Sequence, residues 1–382
     1  MTVTKNIYNS VEKSKENISM KIDIITLHYI RNYGSVLQTY ATQAKFEAMG
    51  YEAEIVDYVR PNAEDGAMIE EGFEKKNLHG IKKMLYIGLK KFEFSKRNRV
   101  CIDFLDKYCK LTRRYKDYND LRNDPPAADV YCTGSDQTWN AEYNGGVLPA
   151  YFLNFAPEGK KKIGYAVSIG RSSISKEEEN ETKPYVERYD AISVREDSAK
   201  QILQNMGCQN VEQILDPTLV LSEKDWKPLV APRMIKDKYI IIYRLNNCPR
   251  LEEFAQELSK KTGCKIVRMS YYVTHFASKG KMVFMPTVEQ FLSLIYYADY
   301  VITDSFHCTA FSLNFNKEFF TFYPGKYSAR LHSILTLTGT ENRAEPQNAD
   351  DLKEIDYTSV NEVLSKERNR ATAFIKKYCE RN

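Results

Sequence analysis

The sequence predicts an α/β protein made of two parallel-sheet lobes facing a central cleft. Three observations lead there. The chain has 382 residues, more than one ordinary hydrophobic core organises, so two domains are the default expectation. Its first apolar stretch reads strand, glycine-bearing turn, helix, strand, which is a βαβ unit and implies a parallel sheet. Its second half alternates strand-type runs with helical segments.

The elements follow in order. Residues 1–19 are polar, lack a hydrophobic period and read as a disordered tail. Residues 21–27 are a short apolar run of strand type. Asn32-Tyr33-Gly34-Ser35 makes the turn, Val36, Leu37, Tyr40 and Ala44 recur at helical spacing, and Gly50 ends the helix. The next strand is 54–59. A basic helical stretch over about 70–122 comes next, and strand runs return at 129–132 and 162–168. The break between the two series is expected near 175–190, where the chain is charged and poor in apolar residues. A second series then opens at 191–194 and continues through 211–215, 239–243, 265–269, 300–303 and 319–323. The expected organisation is a tail (1–19), an N-terminal lobe (20–185), a C-terminal lobe (186–345) and a helical segment (346–382) packing back on the first lobe. Facing parallel sheets put the C-terminal strand ends, and hence ligands, at the cleft.

Composition removes several function classes. No run approaches the roughly 20 apolar residues of a membrane span, and no apolar signal core opens the chain. The 8 cysteines are scattered without a C-x-x-C pair, which speaks against a metal cluster or disulfide framework and suits a cytoplasmic protein with no metal. A net charge of +4 does not by itself imply nucleic acid. The basic stretch at 75–114 has two readings. One is peripheral attraction to the inner face of an anionic membrane or to a phosphate-linked acceptor; the other, favoured on sequence, is a solvated helix face.

The sharpest candidate for chemistry is His307. The buried run 300–303 ends in Asp304-Ser305-Phe306-His307, so the histidine stands in the first turn of the next helix. That turn offers free N–H groups and a positive dipole end to an anion. An imidazole there has its charge disfavoured until an anion binds, and then becomes a proton donor; the bland alternative is a turn-capping histidine. The loop Gly134-Ser135-Asp136-Gln137-Thr138-Trp139-Asn140 gathers hydroxyl, acid, amide and indole groups after a strand, as a hydroxyl-binding, sugar-stacking wall does. Asp136 is read either as a base or as a cap. Asn32, Tyr33, Gly34 and Ser35 form a candidate anion-holding turn, and His28 sits at a strand end nearby. Arg195 and Arg244 end strands where a cleft-facing cation would stand, or are salt-bridge partners.

Taken in order, these pieces resemble the polysaccharide pyruvyl transferase family. The matching segments are Asn32 to Gln38, Gly134 to Asn140, Ser168-Ile169-Gly170, Ser193-Val194-Arg195-Glu196, Leu215-Asp216-Pro217-Thr218 and Asp304 to Ser312. The resemblance implies two Rossmann-like lobes similar to GT-B glycosyltransferases. It also implies transfer of a pyruvyl group from phosphoenolpyruvate to a saccharide as a ketal, with release of phosphate, in surface polysaccharide synthesis. Phosphoenolpyruvate is then a co-substrate and no cofactor is needed; the acceptor is lipid- or nucleotide-linked. Under this reading His307 and Asp136 are catalytic. Arg195, Ser305, Arg244, Arg330, Asn32, Gly34 and Ser35 hold the donor, and Gly134, Ser135, Gln137, Trp139, Tyr33 and His28 the acceptor. One departure stands out. Some branches of the family carry Arg-Leu-His where this chain has Ser305-Phe306-His307, and serine cannot reproduce a guanidinium's bidentate grip. Either another cation such as Arg330 holds the donor, or the donor differs. The competing readings are a GT-B glycosyltransferase using a nucleotide sugar and a non-catalytic sugar- or anion-binding relative.

Overall fold

The computed structural model describes residues 19–61, 79–325, 328–349 and 353–380. Residues 1–18 of the expected tail and the opening of the basic stretch, including Lys75 and Lys76, lie outside them.

Two all-parallel sheets organise the chain. The first contains β1 (Lys21–Ile25), β2 (Glu52–Ile55), β3 (Val130–Thr133), β4 (Lys161–Val167), β5 (Ala191–Val194) and β6 (Val211–Gln213), in the order β2-β1-β3-β4-β5-β6. The second contains β7 (Tyr239–Tyr243), β8 (Lys265–Ser270), β9 (Lys281–Phe284), β10 (Tyr300–Thr303) and β11 (Glu318–Thr321), in the order β11-β10-β7-β8-β9. The central strands are buried on both faces, as parallel sheets require: Ile22 and Ile24 enter one core and Ile25 another, with the buried Asp23 the exception to their apolar character. In the second sheet Val301 lies between Ile241 and Phe319.

One expectation is corrected here. The runs at 191–194 and 211–213 do not open the second lobe. They are hydrogen-bonded into the first sheet, β5 on β4 and β6 on β5. The two sheets therefore divide between Gln213 and Tyr239, not near residue 185. The charged stretch around 175–190 is instead a crossover helix, Lys176–Val186, between β4 and β5.

Strand order also fixes where ligands can sit. In the first sheet the chain runs from β1 outward to β2, then returns to place β3 on the other side of β1. In the second it runs from β7 to β8 and β9, then returns to place β10 against β7. Crevices in open parallel sheets open at such reversals, beyond the carboxyl ends of the strands. The reversals here lie at β1/β3 and β7/β10, so the loops after residues 25, 133, 243 and 303 converge.

Five helices close the gap between the sheets: α1 (Tyr33–Ala48), α2 (Gly80–Tyr108), α3 (Val288–Tyr296), α4 (Phe306–Asn314) and α5 (Ala329–Thr338). A sixth, α6 (Tyr357–Cys379), runs across both lobes. Its first residue, Tyr357, donates to the carbonyl of Ser312 in α4, and Phe374 lies against Tyr165 of β4. The lobes share an apolar seam. Tyr33 of α1 stacks between Tyr271 and Phe291 at 4.9 and 4.4 Å, and Trp226 packs between Tyr40 and Phe311.

Candidate active site

A cavity of about 220 Å³ opens at the two reversals, lined by Asn32, Gly34, Asp136, Gln137, Asp304, Ser305, His307 and Arg330, together with Tyr143, Tyr243, Asn246 and Phe306.

The β10–α4 corner is built by local hydrogen bonding. Asp304 accepts from the backbone N–H groups of Leu245 and Asn246 at 2.6 and 2.8 Å, which ties the end of β10 to the loop after β7. Ser305 is the N-cap of α4: its Oγ accepts from Cys308 N, and its own N–H donates to Thr303 Oγ1 at 3.0 Å. Its hydroxyl is therefore occupied in starting the helix. Two residues on, His307 is buried and its Nε2 has no hydrogen-bond partner; the nearest carboxylate, Asp216 Oδ2, is 3.8 Å away. Burial pulls the imidazole's pKa down to about 4, against the pull of Asp216 and Asp136, with Arg195 and Arg330 adding to the lowering. The ring is neutral at neutral pH. Its Nδ1 lies so close to α1 that a Cβ on Gly34 would fall 2.0 Å from it.

Beneath the cavity lies a buried charge network. Arg195 donates to Asp216 Oδ2 at 2.6 Å and to Asp136 Oδ1 at 3.2 Å, and its Nε is 3.6 Å from Glu196 Oε2. Asp136 holds a left-handed backbone (φ 74°) and accepts further bonds from Ser35 Oγ at 2.7 Å and from its neighbour Gln137 N at 2.9 Å. Such a conformation at a non-glycine residue persists only where its surroundings over-determine it. Burial would raise the Asp136 carboxyl, but Arg195 first, then His307, Arg330 and the Ser35 bond hold it at about 2. Glu196 Oε1 gathers Ser168 Oγ and the N–H groups of Ile169 and Gly170, each at 2.9 Å. Gly170, at φ 71°, also leaves room for Gln137, whose Oε1 would lie 2.2 Å from a Cβ there.

The two arginines differ sharply. Arg195 is surrounded by carboxylates and lies behind the cavity wall. Arg330 lines the cavity; its nearest carboxylate oxygen, Asp136 Oδ1, is 4.0 Å away, and its buried Nε has no partner. Burial and the nearby Arg195 both disfavour its charge, which an incoming anion would relieve. Phe306 touches both guanidinium groups, at 5.0 and 5.6 Å from its ring centre.

The structure thus brings Asn32, Gly34, Asp136, Gln137, Ser305, His307 and Arg330 to one cavity and leaves other expected residues outside its lining. Ser35 and Ser135 stand behind it, on Asp136 and Asp216. Gly134 packs on Ile24 and Thr26. Trp139 stacks on Phe152 and donates to Tyr151 O, which makes it core and not a sugar platform. Tyr33 is sealed in the seam, its hydroxyl on Pro286 O. His28 is buried against Asp57 and the Thr26 carbonyl, and Arg244 pairs with Glu252 at 3.1 Å. Sequence reasoning passed over Tyr143, Tyr243 and Asn246. The position of Tyr243 and Asn246 at the end of a strand central to its sheet is the signal that would have found them.

A family model described as polysaccharide pyruvyl transferase matches residues 32–326. A search among curated proteins finds no match. Among solved structures, the S. aureus MnaA–UDP complex is similar at 11% identity over 94% of this chain and 97% of its own, with a TM-score of 0.50. The UDP-GlcNAc 2-epimerase of Methanocaldococcus jannaschii gives 12%, 94%, 100% and 0.46 in the same order. The glycosyltransferase SnogD of Streptomyces nogalater gives 12%, 93%, 95% and 0.41. At such identities the likeness concerns the fold alone, which is of the two-lobed GT-B type.

Proposed function

The chain belongs to the polysaccharide pyruvyl transferase family, and from that premise we propose that it transfers the pyruvyl group of phosphoenolpyruvate to two hydroxyls of a saccharide, releasing phosphate. The observation that carries this reading is the pairing in one cavity of a buried, neutral His307 and a half-buried Arg330, whose nearest carboxylate oxygen is 4.0 Å away and whose Nε has no partner.

The donor brings a carboxylate and a phosphate. Arg330 and the first turn of α4 are the groups that would hold them, which answers the departure at Ser305: the guanidinium comes from α5, and the serine keeps its capping role. Negative charge arriving beside His307 favours the imidazolium. A proton then passes from His307 to C3 of the donor while a sugar hydroxyl bonds to C2, and that hydroxyl's proton restores the imidazolium. The carbon becomes a methyl-bearing phosphoketal. A second hydroxyl forms its own bond to C2, the C2–O–phosphate bond breaks, and the displaced proton leaves with the phosphate. Positive charge develops at C2 while negative charge gathers on the departing phosphate, where a guanidinium and helix N–H groups act without reorganising.

Asp136 and Arg195 take different roles from those expected on sequence. A carboxyl held at about 2 and saturated with donors is a poor base, so Asp136 serves as a fixed negative charge beside His307 and Arg330. Arg195 is the cation that keeps Asp136 and Asp216 ionised and in place.

The deciding experiment incubates the protein with phosphoenolpyruvate and a panel of diol-bearing glycans, with mass spectrometry of the products and a parallel thermal-shift series of UDP- and GDP-sugars. Ketal product with stabilisation by phosphoenolpyruvate supports the reading; stabilisation by the nucleotide sugars alone removes it.

A further inference from the structure

Helix α2 buries Cys101, Phe104 and Leu105 near its end, but its first half carries apolar residues on the side away from the core. Ile81, Met84, Leu85 and Phe92 are 76, 72, 69 and 52% exposed. At about 100° per residue, Ile81, Leu85 and Phe92 fall within about 40° of one another and Met84 stands about 60° to one side, so they form one stripe. Exposed Lys91 borders the stripe beside Met84, and Lys82 and Lys96 border its other edge; Arg99 lies at its end. The charge is one-sided. Between residues 80 and 102 the sequence holds one acidic residue, Glu93, and it is buried.

The opposite face anchors the helix. Glu93 accepts from Val273 N at 2.7 Å and from Lys90 at 2.6 Å; Lys90 and Arg97 lie over the rings of Tyr272 and Tyr271. Arg31, next to cavity-lining Asn32, lies over Phe94 and bonds to Asn98. The helix is thus held firmly beside the cavity rim while its other face meets water.

We propose that this face lies in the headgroup layer of an anionic membrane. A stripe about 17 Å long, parallel to the surface, matches an interfacial helix. Buried apolar side chains would supply area, and the bordering lysines, whose stems can run along apolar surface, would meet lipid phosphates. A neutral protein partner would explain the stripe but not its cationic edges or the exclusion of acid from them. Among the described residues no helix is long and apolar enough to cross a membrane, so attachment by this helix is peripheral. Its position beside the cavity would bring a lipid-anchored saccharide to the site, a consequence that rests on the pyruvyl-transfer reading, whereas membrane attachment itself does not.

The test is flotation of the full chain with vesicles of phosphatidylcholine alone and of phosphatidylcholine with phosphatidylglycerol in equal parts, which needs no turnover. The expected result is binding to the anionic vesicles only, reversed by salt. Lys82→Gln with Lys91→Gln should lower partitioning about 25-fold, since each lysine near such a surface contributes about five-fold. Ile81→Glu with Leu85→Glu should lower it about a hundred-fold or more. Unchanged thermal unfolding of both variants shows that they remain folded. The proposal is overturned if the wild type ignores anionic vesicles, or if both double variants bind as it does. It is equally overturned if the chain forms a concentration-dependent dimer in buffer that Ile81→Glu with Leu85→Glu abolishes, because the stripe then belongs to a second copy.

Discussion

Gly34 and His307 come from different lobes and meet without room for a methyl group: a Cβ at residue 34 would stand 2.0 Å from the imidazole Nδ1. The N-terminal turn of α1 therefore sets the position of the ring that starts α4. Gly34 is needed here for close approach, since no positive φ distinguishes it from an ordinary helical residue.

Gly34→Ala should therefore act on the histidine. Overpacking at such a contact costs about 1–3 kcal/mol, and displacing the ring should lower kcat/KM by about a hundred-fold. Unfolding curves and initial rates check both. An alanine variant with wild-type turnover would mean that the ring position does not matter.

Arg330→Ala should weaken the donor. Losing a charge-assisted contact of about 1.5–3 kcal/mol raises the KM for phosphoenolpyruvate about 10- to 150-fold, and donor-induced thermal stabilisation should vanish. The free protein should lose little stability, because the guanidinium has no partner at its buried Nε.

Arg195→Ala should do the reverse. It leaves Asp136 and Asp216 buried without their closest cation, a loss of about 3–5 kcal/mol. A drop in Tm far larger than that of Arg330→Ala is the expected result.

The histidine also predicts a pH dependence. Its pKa is about 4 in the folded chain against 6.5 normally, so the unfolded chain takes the proton first as pH falls. Stability contributed by this neutral site is intact above about pH 6.5 and lost on the way down to about pH 4, reaching about 3 kcal/mol there. His307→Gln should unfold with a correspondingly flatter acid limb between those values.

Much of this site was legible in the sequence, and the failures share a cause. Strand ends could be read from apolar runs, and with them the loops that carry Asn32, Gly34, Asp136, Gln137, Ser305 and His307. Which way a side chain turns at a strand end could not. Tyr33 and Trp139 carry polar tips that suit a sugar, yet each tip is satisfied by a carbonyl inside the core. Arg195 stands at its strand end near the cleft, but two carboxylates from distant segments, Asp136 and Asp216, and its chain neighbour Glu196 consume its charge. Nor does a strand reveal its neighbour: residues 191–194 are an apolar run suited to either lobe, and pairing with β4 was decided by tertiary packing. The strand β9 leaves little signal in the sequence, because Lys281–Phe284 is short and not fully buried.

The most direct measurement of the central claim runs the reaction in deuterated water with phosphoenolpyruvate and a diol acceptor, for the wild type and His307→Ala. The account predicts phosphate release and a ketal methyl carrying solvent deuterium in the wild type. It predicts a rate at least about 100-fold lower in the folded variant, the usual contribution of a positioned acid. Phosphate release by His307→Ala at the wild-type rate would contradict it.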